Sequence, residues 1–82
     1  MNSFEYTIKD ENGIHARPAG IIARKAADFS CDITIECKGK SANLKKLLSL
    51  MGMGIKKGDT VRVFASDGTD ISSLKKFMEE NI

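Results

Sequence analysis

The chain has 82 residues, of which 41% are hydrophobic and 29% are charged, and its formal net charge is +2. This length is typical of one small domain, which we expect to span residues 1–82. The low charge and the sparse aromatic residues argue against nucleic-acid binding, and no apolar run approaches the ~20 residues of a membrane span. The N-terminus resembles no signal peptide, so a cytoplasmic protein without membrane insertion is expected.

The two cysteines, Cys31 and Cys37, are predicted near the two ends of one strand. That placement makes a disulfide between them sterically awkward. Two cysteines and a single histidine also match no common zinc-binding spacing. We therefore expect reduced, partly buried thiols, and neither a metal nor another cofactor.

Apolar residues that alternate with polar ones predict four strands, at about residues 4–8, 33–37, 40–43 and 60–66. Apolar residues at helical spacing predict three helices, at about residues 16–27, at 44–53, and after Asp70, which is a suitable capping residue. The short connections are rich in glycine, as in the Asn12-Gly13 and Lys38-Gly39 turns.

The element order β-α-β-β-α-β-α predicts an α+β fold. In such an open-faced two-layer sandwich, a four-stranded antiparallel sheet carries the helices on one face. The core between the layers is predicted to contain Ile8, Ile22, Ala26, Phe29, Ile33, Ile35, Val61, Val63, Leu74 and Met78.

The only histidine, His15, precedes the only proline, Pro18, at the start of the first predicted helix. An unperturbed imidazole has a pKa of about 6.5, so much of it is neutral near pH 7 and can accept a phosphoryl group. The backbone N–H groups of Ala16 and Arg17 lack intrahelical partners and favour an anion there. The Arg17 guanidinium has the donor geometry that phosphate oxygens require.

The flanking residues suit such a site, but they leave a second interpretation open. Gly13 completes a tight turn that would present the imidazole, and Pro18 is well tolerated in a first helical turn. Alternatively, His15 is only a polar helix cap in a small α+β regulatory binding module. A His-Asp-Ser triad is not supported: Asp10 and Glu11 are near in sequence, but no glycine-flanked serine stands out.

The segment Gly13–Ala19 resembles the active-site signature of HPr, the histidine-containing phosphocarrier of the bacterial sugar phosphotransferase system. The segment Gly39–Lys45 and the apolar residues after it, through Ile55, resemble that family's second characteristic segment. The resemblance extends from about residue 3 to residue 80. It implies a monomeric carrier that is a substrate and donor for phosphotransferases rather than an enzyme itself.

The resemblance also implies partners and roles. Enzyme I, phosphorylated from phosphoenolpyruvate, would phosphorylate His15 on Nδ1, and Arg17 would stabilise the phosphate. The phosphoryl group would then pass to the A domains of Enzymes II for sugar uptake. Leu47, Leu48 and Met51 match the family's docking surface, with a polar rim formed by Arg17, Arg24, Lys40 and Lys45. An alternative is that these three apolar residues of the second helix are core residues.

One position departs from the family pattern. In relatives from low-GC Gram-positive bacteria, a serine that is phosphorylated by HPr kinase begins the second helix. Lys46 occupies the matching position here, and lysine cannot receive that phosphate. Ser49, one turn later, is the nearest substitute, but it lies inside the predicted helix. We therefore expect phosphorylation by HPr kinase to be weak or absent.

Overall fold

The computed structural model describes all 82 residues. Its strands are β1 (Ser3–Thr7), β2 (Ile33–Cys37), β3 (Lys40–Asn43) and β4 (Thr60–Ala65). Its helices are α1 (Ala16–Ala26), α2 (Leu47–Met51) and α3 (Ser72–Asn81). The observed order, β1-α1-β2-β3-α2-β4-α3, confirms the predicted α+β fold class. None of the helices has the length and apolar character needed to cross a membrane.

The sheet has the strand order β1-β4-β2-β3, and every neighbouring pair is antiparallel. Val63 lies in the centre of this arrangement, opposite Phe4 of β1 on one side and Ile35 of β2 on the other. The end of β1 lies beside the start of β4, where Thr7 is opposite Thr60. The loop after β1 and the loop before β4 therefore emerge at the same end of the sheet.

The core is one contiguous cluster of 21 buried residues from the sheet, the helices and the loops. Nearly all of the predicted core residues belong to it. Phe29 is the exception, because it is only partly buried and packs against the cluster.

Cys31 and Cys37 are both buried as free thiols. The tyrosine of the core, Tyr6, has its hydroxyl buried without a hydrogen-bond partner, and burial raises its pKa.

The helix α2 is shorter than the predicted segment 44–53. Leu44 precedes the helix and is fully buried, and its N–H donates to the Ile33 carbonyl at 2.9 Å. The Asn43 side chain then accepts the Lys45 N–H at 2.9 Å, which forms a turn that delays the helix. The helix ends before Gly52. Gly54, with φ +66°, then adopts a left-handed conformation that changes the direction of the chain.

The apolar residues of α2 divide between the core and the surface. Leu50 is fully buried, whereas 82% of Leu48 and 38% each of Leu47 and Met51 are exposed. The interpretation of Leu47, Leu48 and Met51 as core residues is therefore wrong. Leu50 is the residue that attaches this short helix to the core.

The start of α3 also differs slightly from the prediction. Ile71, not Asp70, occupies the cap position. The Asp70 carboxylate nevertheless accepts the Ser72 N–H at 2.9 Å and the Ser72 hydroxyl at 2.6 Å. These bonds, with the ammonium group of Met1, hold the pKa of Asp70 well below its usual range. The predicted residue therefore stabilises the helix start from one position earlier.

We expect Leu50→Ala to lower the free energy of unfolding by about 2–5 kcal/mol, because it removes a fully buried side chain from the core. The matched variant Leu48→Ala, on the same helix, should change it by less than about 0.5 kcal/mol, because Leu48 is mostly exposed. Urea unfolding followed by circular dichroism measures both values. Equal losses in the two variants would contradict the assignment of Leu50 as the anchor of α2.

Candidate functional site

The loop before α1 is held against the loop before β4 by a close backbone contact at Gly13. A Cβ atom at Gly13 would overlap the carbonyl oxygen of Ile55 and lie 2.7 Å from the Cα of Lys56. The φ angle of Gly13 is +66°, which also favours glycine. The next residue, Ile14, donates its N–H to the Ile55 carbonyl at 3.1 Å and is buried in the core. This contact fixes the chain immediately before His15.

The loop that receives Gly13 is itself fixed by Asp59. The Asp59 carboxylate accepts the Lys56 N–H at 2.9 Å and forms an ion pair with Lys38 Nζ at 3.0 Å. The bond from the Lys56 backbone, followed by that from Lys38, lowers the pKa of Asp59. The Asp59 carbonyl accepts the Ile8 N–H at 2.9 Å, which connects this loop to the end of β1.

The last residue, Ile82, provides a third support. Its carbonyl accepts the N–H groups of Lys9 and Asp10 at 2.8 and 2.9 Å, and its side chain is buried. The preceding residue, Asn81, reaches the surface beside His15. Three segments that are distant in sequence therefore converge on the start of α1.

His15 occupies the cap position of α1, but its imidazole does not cap the helix. Its backbone is extended, with φ −118° and ψ −177°, and its carbonyl accepts the Ala19 N–H at 2.9 Å. The side chain makes no capping hydrogen bond and is 42% exposed. The interpretation of this imidazole as a polar cap is therefore wrong.

The first turn of α1 presents only hydrogen-bond donors to a ligand. The N–H groups of Ala16 and Arg17 have no acceptor in the protein, and Pro18 has no N–H. No acidic residue lies in this turn, and Arg17 is exposed without an ion pair. The positive end of the helix dipole adds to the attraction for an anion.

His15 opens onto a shallow surface depression of about 400 Å³, here called the site depression. On one side of the imidazole, the Asp10 carboxylate approaches Nε2 to 3.9 Å. The depression is lined by Asp10, Asn12, His15, Arg17, Pro18, Ile21 and Asn81. It is open to solvent, and five of its seven lining residues have polar side chains.

The predicted docking residues lie outside the site depression, apart from Arg17. Leu47, Leu48 and Met51, here called the α2 patch, are exposed apolar residues. Of the predicted rim, Arg24 and Lys40 are exposed, and Lys45 is half-buried. The ammonium group of Lys45 donates to the Phe29 carbonyl at 2.6 Å.

Two residues that line the site depression, Ile21 and Asn81, were not predicted from the sequence. Ile21 is 39% exposed on α1 and lines the site depression. Ile21 could have been identified from the sequence, because it is an apolar residue that lies beside the buried face of α1 rather than on it. Asn81 arrives from the far end of the chain, and no local pattern around His15 indicates it.

The residues around the predicted regulatory position are exposed. Lys46 occupies the cap position of α2 in an extended conformation, without a capping bond from its side chain. Ser49 lies within α2 and is also exposed.

Comparison with known proteins places this chain in a family. Residues 2–80 match the family model described as the PTS HPr component phosphorylation site. The histidine-containing phosphocarrier protein of Mycoplasma is 37% identical, with a TM-score of 0.82 over 96% of this chain and 89% of that one.

Two further solved structures are similar. HPr-C-His from Thermoanaerobacter tengcongensis is 31% identical, with a TM-score of 0.81 over 98% of this chain and 89% of that one. The phosphocarrier protein HPr from Bacillus anthracis str. Ames is 26% identical, with a TM-score of 0.81 over 98% of this chain and 94% of that one. The chain belongs to the HPr family, the phosphocarrier proteins of the phosphotransferase system.

Proposed function

We propose that this chain accepts a phosphoryl group on Nδ1 of His15 from phosphorylated Enzyme I and passes it to the A domains of Enzymes II for sugar uptake. The observation that carries this proposal is the exposed imidazole at the start of α1, which makes no capping bond. It stands beside two unpaired N–H groups and the guanidinium of Arg17. The family match supports the same role.

The chemistry needs a nucleophile and donors for the phosphoryl oxygens. The lone pair of Nδ1 forms the new N–P bond, while the donor's N–P bond breaks and leaves its electron pair on the donor nitrogen. The free N–H groups of Ala16 and Arg17, together with the Arg17 guanidinium, can then donate to the phosphoryl oxygens. No enclosed substrate pocket is required, so we propose a carrier rather than an enzyme. The family match supports a cytoplasmic location, and we propose that the carrier acts as a monomer.

The α2 patch is the surface that we propose for partner docking. Leu48 is 82% exposed and is grouped on one short helix with the exposed Leu47 and Met51. A group of exposed apolar residues suits contact with another protein better than a single exposed residue does. Met51 adds a flexible side chain that adapts to more than one partner. Arg17, Arg24 and Lys40 are exposed cations for acidic partners. Lys45 can contribute as well, because an ammonium group has three donors and the Phe29 carbonyl occupies one.

We expect the wild-type protein to gain one acid-labile phosphate when it is incubated with Enzyme I and phosphoenolpyruvate. His15→Ala should gain none, because it removes the only imidazole in the chain. Intact-mass measurement before and after mild acid treatment detects the phosphate, and circular dichroism confirms that the variant is folded. If the wild-type protein gains no acid-labile phosphate under these conditions, the proposed function is wrong.

We expect Met51→Asp to slow phosphoryl transfer from Enzyme I by about fivefold or more, because it places a negative charge in the α2 patch. The unfolding free energy should change by less than about 1 kcal/mol, because Met51 is partly exposed. Ser73→Asp adds the same charge at an exposed position of α3 and serves as the control. Quench-flow kinetics measure the rates, and equal rates in both variants would remove α2 from the docking surface.

We expect little or no phosphate on this chain after incubation with HPr kinase and ATP, because Lys46 replaces the acceptor serine of its relatives. An HPr that carries this serine shows that the kinase is active. Lys46→Ser tests whether the rest of the surface still supports recognition. A phosphate that peptide mass spectrometry locates on Ser49 of the wild-type chain would contradict the expectation.

A further inference from the structure

The only carboxylate within 4 Å of the His15 imidazole is that of Asp10, whose Oδ2 atom lies 3.9 Å from Nε2. This distance exceeds that of a direct hydrogen bond, so the contact in the resting protein is electrostatic. Catalytic contacts of this kind commonly tighten when charge develops on the ring. Asp10 therefore faces one specific nitrogen and leaves Nδ1 for another role.

Asp10 is held in place by hydrogen bonds to its own loop and to Ile82. Its Oδ1 accepts the Asn12 N–H at 2.9 Å, and its carbonyl accepts the Gly13 N–H at 2.9 Å. Its own N–H donates to the Ile82 carbonyl at 2.9 Å. Because Oδ1 is occupied, Oδ2 is the oxygen that remains for the imidazole. The carboxylate is only 30% exposed, so solvent screens it less than a free surface charge.

We infer that Asp10 is a positioning residue that keeps the proton of the neutral imidazole on Nε2 and the lone pair on Nδ1. A carboxylate only accepts hydrogen bonds, so it favours the tautomer with Nε2–H directed towards it. The inference rests on the proposed function, because it names the residue that selects the nucleophilic nitrogen of that reaction.

The same carboxylate also stabilises the product of the transfer. When the Nδ1 lone pair forms the N–P bond and the donor's N–P bond breaks, the proton on Nε2 stays in place. The phosphorylated ring then carries a positive charge, which faces Asp10. No proton has to leave or arrive, and the step reverses in the same way when the phosphoryl group moves on.

Asp10→Asn distinguishes this role from a purely structural one. If the oxygen of the introduced amide keeps the bond from the Asn12 N–H, the amide nitrogen takes the place of Oδ2 and presents donors to Nε2. That arrangement favours a lone pair on Nε2 and the proton on Nδ1, which blocks the nucleophile. Asp10→Ala presents no donor, although it loses the bond to Asn12. A tautomer role therefore makes the asparagine variant the slower one, whereas a structural role makes the alanine variant slower.

The tautomer is measured on unphosphorylated, ¹⁵N-labelled protein by long-range ¹H–¹⁵N spectra of His15 at a pH where the ring is neutral. We expect Nε2–H in the wild-type protein and a shift towards Nδ1–H in Asp10→Asn. The rate of transfer from Enzyme I should fall about tenfold in Asp10→Asn and less in Asp10→Ala. Glu11→Gln removes the same charge from the exposed neighbouring residue and should change neither measurement.

Two results would overturn the inference. One is the finding that Nδ1–H is the main tautomer in the wild-type protein. This measurement does not depend on the folding of any variant. The other is an unchanged tautomer in Asp10→Asn, whatever the transfer rates. Neither result affects the proposed function if wild-type His15 still gains its acid-labile phosphate. Failure of that phosphorylation, with the tautomers as expected, would instead refute the proposed function alone.

Discussion

The close contact between Gly13 and the backbone at Ile55 and Lys56 is the constraint on which the site depends. Any side chain at Gly13 would overlap the Ile55 carbonyl, so the two loops could not approach as they do. The positive φ of Gly13 turns the chain so that Ile14 enters the core and His15 stands at the start of α1. The position of His15 is therefore set by the backbone contact at Gly13 and by the burial of Ile14. The His15 imidazole itself is not needed to hold the loop in place.

That arrangement places positive and negative groups on different sides of the His15 imidazole. The first turn of α1 contains donors and no acid, so it favours an anion such as the phosphoryl group of the proposed transfer. The Asp10 carboxylate approaches the other nitrogen, Nε2, where a positive charge would develop in the proposed transfer. If the carboxylate lay in the helical turn instead, it would repel the phosphate and compete for Arg17. The loop before α1 prevents this, because hydrogen bonds to Asn12, Gly13 and Ile82 hold Asp10 away from that turn.

The element order and most of the core could be predicted because they depend on local periodicity. The limits of α2 could not, since Leu44, Leu47, Leu48, Leu50 and Met51 are all apolar and a short segment has no clear buried stripe. The turn at Asn43 and the packing of Leu50 decide its length and orientation. His15 and Arg17 could be proposed from the sequence because the residues around them suit an anion site. The placement of the Asp10 side chain beside His15 could not be predicted, because it depends partly on a backbone hydrogen bond to Ile82, which is distant in sequence.

In the short helix α2, the residue that stabilises the fold differs from the residues that we propose for partner docking. A helix of five residues is too short to be stable alone, so it depends on Leu50 and on the preceding turn. The remaining apolar residues are then free to stay exposed without weakening the core. Lys46 at the start of this helix opposes the helix dipole, so helix stability does not explain it. A positive charge beside an exposed apolar patch does suit an acidic partner, which is the surface chemistry that the proposed carrier role requires.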